Sequence, residues 1–130
     1  MGKGYLIDSN VIIGYLDNKI PSPGMELINT IVDGTPYISV ISKIEVLRFN
    51  APENVYQILE DFIGDCFLIG LDESIVDQTI AICKSHRIKL PDAIIAATAI
   101  VNNLTLLTRN VGDFKNIADL DLLDPWEVAG

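Results

Sequence analysis

Four acidic residues stand where a short apolar run gives way to a helix or a loop: Asp8 in LIDSN, Glu45 in SKIEVLRF, Asp92 in KLPDAIIAATA and Asp113 in LLTRNVGDF. Each has an ordinary structural use. Asp8 reads as an N-cap or Asx turn. Ser42 and Glu45 match the S-x-x-E capping box. Asp92, behind Pro91, complements the positive end of a helix dipole, worth about 0.3–1 kcal/mol, and Asp113 can cap a short turn through Phe114 and Lys115. Capping accounts for these acids one at a time and not for their common placement. Two unit charges 4 Å apart repel by about 4 kcal/mol at an effective dielectric of 20. Carboxylates gathered without a counter-ion therefore take up protons or splay. A divalent cation removes the conflict, and oxygen-only donors favour Mg2+ or Mn2+ held by a few carboxylates, water and substrate phosphate. The chemistry such a set implies is phosphodiester hydrolysis.

The elements that must position these acids follow from periodicity. GYLID (4–8), PYISV (36–40), CFLIG (66–70) and LTLLT (104–108) read as buried strands, with LDLL (120–123) a weaker fifth. Helical patterns lie between them at 11–16, 24–32, 42–49, 53–64, 73–85 and 93–102. Alternating strand and helix predict right-handed βαβ units and a mostly parallel sheet covered on both faces. The helix after LPD, apolar nearly all round, is expected to be buried. The long crossover between CFLIG and LTLLT places the reversal of strand order between the first and fourth strands. Ligands collect outside the carboxyl ends of strands near such a reversal, which is where the acids stand.

A chain of 130 residues, 49% hydrophobic and 21% charged, predicts one domain over 1–130 with a sizeable core and excludes disorder. No apolar run is long enough to span a membrane and no secretory pattern follows Met1, so a cytoplasmic location is expected. Cys66 and Cys83 sit among apolar neighbours without a CxxC pair, and read as buried reduced thiols rather than zinc ligands. Eighteen acids against nine bases give a net charge of −9, which opposes non-specific binding to phosphate backbones. Bound divalent cations would invert that field where the acids converge.

The four motifs LIDSN, SKIEVLRF, KLPDAIIAATA and LLTRNVGDF, in this order and spanning nearly the whole chain, closely resemble those of the PIN-domain family, particularly small VapC-type ribonuclease toxins. The resemblance implies a three-layer α/β/α fold with a five-stranded parallel sheet in the order 3-2-1-4-5, an acidic metal pocket and endonucleolytic cleavage of RNA. It implies that Asp8 is the central ligand of Mg2+ or Mn2+, that Asp92 and Asp113 are further ligands, and that Glu45 binds through water or orients the attacking water. Thr108 would support the pocket by hydrogen bonding, and Ser9, Asn10 and Asn110 occupy motif positions suited to the same supporting role. A homodimer and a cognate VapB-like antitoxin with a basic tail are further implications, and the charge of −9 suits a basic partner.

The stretch KSHRIK (84–89) is the densest basic patch. It reads as cations at a helix C-terminus or as a grip on RNA in which Arg87 and Lys89, with Lys43 and Arg48 near the second motif, form a positive rim. His86 reads as a loop residue rather than a general base. An acidic enzyme with so few cations is expected to select a small structured RNA. Val55, Ile58 and Phe62 could form a dimer face, yet a stripe at helical spacing reads first as core. A phosphoacceptor module would need adjacent acids after the first strand and a Lys after the fifth, and a DxD phosphatase would need an acid at Asn10; this chain has none of these. The remaining alternatives are a PIN-fold RNA-processing enzyme outside a toxin–antitoxin system and a non-catalytic binding domain that keeps the acids as caps.

Overall fold

The structure, a computed structural model, describes residues 4–129; the expected domain span of 1–130 reaches at both ends into residues outside these. In chain order the elements are β1 (Tyr5–Ile7), α1 (Ser9–Leu16), α2 (Ser22–Asp33), β2 (Tyr37–Ser39), α3 (Val40–Leu47), α4 (Glu53–Gly64), β3 (Phe67–Ile69), α5 (Glu73–Ser85), α6 (Leu90–Val101), β4 (Thr105–Leu107), α7 (Val111–Phe114) and β5 (Asp121–Leu123), followed by a 3-10 turn at Pro125–Glu127. The five strands form one parallel sheet in the order β3-β2-β1-β4-β5, as expected. The reversal falls between β1 and β4, where Leu6 pairs with Leu106 and Ile7 with Leu107.

Strand side chains alternate between faces, so this register feeds two cores. Leu6 and Leu106 pack with Ile75 and Ile82 of α5, the buried Ala and Ile side chains of α6, and Phe114. Ile7 and Leu107 pack on the other face with Val11, Ile12, Ile28, Ile31, Ile38, Val46 and Ile63. Each fully buried Leu or Ile contributes about 1.5–3 kcal/mol. Helix α6 runs through the first core with Ala93, Ile95, Ala96, Ala97, Thr98 and Ala99 all buried, so packing fixes the position of its first turn and of Asp92. Among the described residues no helix is long and apolar enough to cross a membrane.

Four expectations are corrected. The S-x-x-E pattern is not a capping box: Ser39 ends β2 and takes the N-cap, its Oγ accepting from Ile41 N at 3.1 Å. Helix α3 therefore begins at Val40, and Ser42 is buried within it with no hydrogen-bond partner among the described residues. Strand β3 is not buried, because it is the sheet edge; Phe67 is 59% and Leu68 41% exposed, with Phe67 tilted against Tyr37. On α4 the inward stripe is Leu59, Phe62 and Ile63, which leaves Val55 and Ile58 on the solvent side. Cys83 is exposed on α5, while Cys66 is half-buried, donates to Phe62 O, and has its thiol pushed up to about 11 by burial and by the charge of Asp65.

The 3-10 turn is absent from the sequence expectations and owes its position to two glycines. A Cβ at Gly24 on α2 would lie 1.9 Å from the Pro125 carbonyl oxygen, and one at Gly14 on α1 would lie 2.6 Å from the Trp126 ring. Asp124 closes the turn by accepting from Trp126 N at 2.9 Å. Gly24→Ala is expected to lower stability by about 1–3 kcal/mol, as overpacking against backbone does. Urea unfolding followed by the emission of Trp126, the one tryptophan of the chain, measures it.

Candidate active site

Asp8 follows β1 directly and Thr108 follows β4, so the register that aligns Ile7 with Leu107 sets these two side by side. The Asp8 N–H donates to Leu107 O at 3.0 Å and the Thr108 N–H to Leu123 O at 3.1 Å, which ties both to the sheet's carboxyl edge. Asp8 caps α1, its Oδ1 accepting from Ser9 N at 2.8 Å. Its Oδ2 accepts from Thr108 Oγ1 at 2.8 Å and Asn10 Nδ2 at 3.2 Å. Thr108 Oγ1 in turn accepts from the Asn110 N–H at 3.1 Å, and Asn10 Oδ1 from the Arg109 N–H at 3.1 Å. Both Asp8 and Thr108 are buried, at 4% and 0% exposure. Asp8 is thus a carboxylate buried among donors, with its rotamer fixed from two strands.

Glu45 reaches the same edge from α3, its Oε1 accepting from Ser9 Oγ at 3.3 Å. Asp92 comes from the first turn of α6 and Asp113 from α7. Asp113 lies inside that short helix rather than capping it, because Asn110 holds the N-cap position. Burial raises the proton affinity of Asp8 against the opposing pull of Thr108, Ser9 and Asn10. Burial and then the charge of Asp8 raise Glu45, with Asp92 adding to the rise. Burial, Asp8 and Asp113 raise Asp92, with Lys89 opposing. The four acids therefore share one electrostatic site. They are not closed on a single point: among the described residues no three carboxylate, imidazole or thiol groups are drawn together tightly enough to hold an ion unaided. The two observations are compatible, since carboxylates can raise one another from beyond ligation distance.

This donor set fits a hard divalent ion. All donors are oxygen, and burial together with the mutual repulsion of Asp8, Glu45, Asp92 and Asp113 raises the proton affinity of three of them, a conflict that a divalent cation relieves. Asp8, Asp92, Asp113 and Glu45 are the residues that would hold it. Thr108, Ser9 and Asn10 join this network through their side chains and Asn110 through its N–H.

Asp92 and Asp113 open onto a cleft of about 430 Å³ whose rim includes His86, Arg87 and Lys89. His86 caps the end of α5 and its Nε2 lies 3.0 Å from Asn116 O, so it braces this rim. Glu45, Ser9 and Asn10 border a second cleft with Arg48, Arg109 and Trp126. Arg109 and Trp126 went unremarked in the sequence. Arg109 stands next to a motif residue and Trp126 is the one Trp, in DPWE, so their positions were visible but their meeting was not.

The PIN domain family model matches residues 5–120. That match spans most of the chain and all but the end of its five-stranded sheet, and the chain belongs to the PIN-domain family. Its fold is similar to a chain of a toxin–antitoxin complex from Klebsiella pneumoniae, with a TM-score of 0.75 and 26% identity, covering 96% of this chain and 100% of that one. It is similar to a chain of VapBC2 from Rickettsia felis at a TM-score of 0.74 and 26% identity, covering 92% and 96%. The DNA-bound VapBC from Salmonella typhimurium has a chain at a TM-score of 0.81 and 24% identity, covering 95% and 99%, a likeness of fold. No curated protein sequence matches the chain.

Proposed function

We propose that this protein is an Mg2+- or Mn2+-dependent endoribonuclease, a single cytoplasmic PIN domain that acts as the toxin of a VapBC-type pair. The observation that carries the reading is the buried Asp8 carboxylate, held by Thr108, Asn10 and Ser9 N, whose charge raises the proton affinity of Glu45 and Asp92, with Asp113 acting on Asp92 in turn. When bound, a divalent ion supplies an activated water and neutralises charge on the phosphate and leaving oxygen. Asp8 would hold the ion, and its hydrogen bonds fix the carboxylate before substrate arrives. Asp92 and Asp113 complete the set. Glu45, steadied by Ser9, binds through water or orients the attacking water. Arg87, Lys89 and Arg48 meet the RNA backbone at the rims.

The net charge of −9 is reconciled by where the cations lie. Five of the nine Lys and Arg residues, namely Lys19, Arg48, Arg87, Lys89 and Arg109, line the two clefts beside the acids. That distribution supports a few local phosphate contacts on a structured RNA rather than non-specific capture. A VapB-like antitoxin with a basic tail fits the acidic edge, and its presence is suggested by the toxin–antitoxin and VapBC relatives. Exposed Leu71, Val76, Ile80 and Leu90 around an apolar hollow support a homodimer.

Cleavage of a panel of synthetic RNA hairpins and homopolymers in Mn2+ tests this reading. Cuts at defined positions in hairpins, at least about tenfold faster than in homopolymers, are expected from so few phosphate contacts. Equal rates on both would contradict the selectivity, and no cleavage of any RNA would contradict the nuclease reading.

A further inference from the structure

The second cleft, of about 470 Å³, has a composition that the acids do not explain. Two guanidinium groups on its walls are layered on aromatic rings. Arg109 Cζ lies 4.6 Å from the Trp126 ring centroid and Arg48 Cζ 4.9 Å from that of Phe49. Phe49 is 63% exposed, so the core does not account for it. Trp126 is held by the close approach of Gly14 and Gly24 to the 3-10 turn, and the Arg109 N–H is pinned to Asn10 Oδ1, beside Asp8. Trp126 is thus held in place, Phe49 stands exposed, and both open beside Glu45 and Ser9.

We propose that this cleft is a nucleobase subsite, taking one base of an RNA next to the scissile phosphate; the proposal rests on the nuclease reading. The base stacks on the Arg109–Trp126 layer, with Phe49 offering a second apolar surface and Arg48 meeting a flanking phosphate. Planar cationic and aromatic surfaces hold bases without demanding one sequence. A cleft of this volume accommodates a nucleotide. Its charges favour nucleic acid over a basic peptide: Lys19, Arg48 and Arg109 outnumber Asp17 and Glu45. In this arrangement RNA crosses the carboxylates between the Arg87–Lys89 rim and the Trp126 layer, and this cleft holds the nucleotide that flanks the cut whatever its base.

Trp126 reports on the subsite directly. The full chain is titrated with single-stranded hexamers of oligo(A) and oligo(U), with Ca2+ in place of Mg2+ to neutralise the acids while turnover is slow. Saturable change in Trp126 emission is expected, with affinity falling about tenfold in Phe49→Ala and in Arg109→Ala. Both residues are exposed, so the variants should keep the wild-type circular dichroism. In cleavage assays the same variants should raise KM more than they lower kcat. No change in emission, or affinities within twofold of wild type in both variants, would overturn the subsite. A stronger response to an oligo-arginine peptide than to either hexamer would also overturn it, reassigning the cleft to a protein partner. Binding with quenching but no RNA cleavage under any divalent ion would contradict the nuclease reading and leave the nucleotide site standing.

Discussion

Asp8→Asn should lower RNA cleavage by about 10³-fold or more while leaving the circular dichroism spectrum unchanged. The substitution is nearly isosteric, so the β1–β4 junction keeps its shape, but it removes the one charge buried among donors from Thr108, Asn10 and Ser9. An amide can still accept from some of them, which is why the fold survives. It cannot supply the negative oxygen a hard cation needs. Thr108→Val is the instructive companion. It keeps Asp8 and removes the 2.8 Å bond that orients it, so its loss should be smaller, about 10–100-fold, the usual scale for a residue that acts by steadying a ligand. Initial rates on one hairpin substrate at saturating Mn2+ separate the two. Comparable losses would mean that Asp8 matters to the pocket's shape and not to the chemistry.

The second large effect is on stability without metal. Asp8, Glu45 and Asp92 all have raised proton affinities in the folded state, above ordinary values of 3.8 for Asp and 4.5 for Glu. For a carboxyl group raised by folding, the protonated form favours the native state. The contribution is therefore full below the unfolded value and is lost as pH rises through the folded value. As pH rises from the ordinary carboxyl values through the higher folded ones, metal-free protein should lose stability, and the loss should shrink in Asp92→Asn, which cannot ionise there. Differential scanning calorimetry in EDTA across that range is the check. Addition of Mn2+ at pH 7.5 should then restore the wild type by mass action on the native state and restore Asp92→Asn less. A loss of stability with rising pH that is the same in wild type and in Asp92→Asn would contradict the clustering of these acids.

The acidic edge was legible in the sequence because its determinants are local. Each acid follows a strand or opens a helix, and a parallel sheet sends all strand C-termini to one side. Asp8 and Thr108 needed only the β1–β4 pairing to meet. Start of α3 was not legible: Ser39 and Ser42 are both plausible caps, and choosing between them required knowing that β2 ends at Ser39 with its hydroxyl turned to Ile41 N. The face of α4 was misread for a similar reason. Apolar residues lie on two of its sides, and only the position of its neighbours selects Leu59, Phe62 and Ile63 over Val55 and Ile58. The Arg109–Trp126 layer depends on glycines at 14 and 24 admitting a turn more than a hundred residues later in the chain. No periodicity carries such a contact.

The central claim is that Asp8, Glu45, Asp92 and Asp113 act as one site for a divalent cation rather than as separate helix caps. Asp92 decides it, since as a dipole-complementing acid its loss would cost the fold a little and metal binding nothing. Mn2+ titration followed by electron paramagnetic resonance, on wild type and on folded Asp92→Asn, measures this without any RNA. Binding by the wild type that weakens by at least about tenfold in the variant is the expected result; equal Mn2+ affinity in the two proteins would contradict the account.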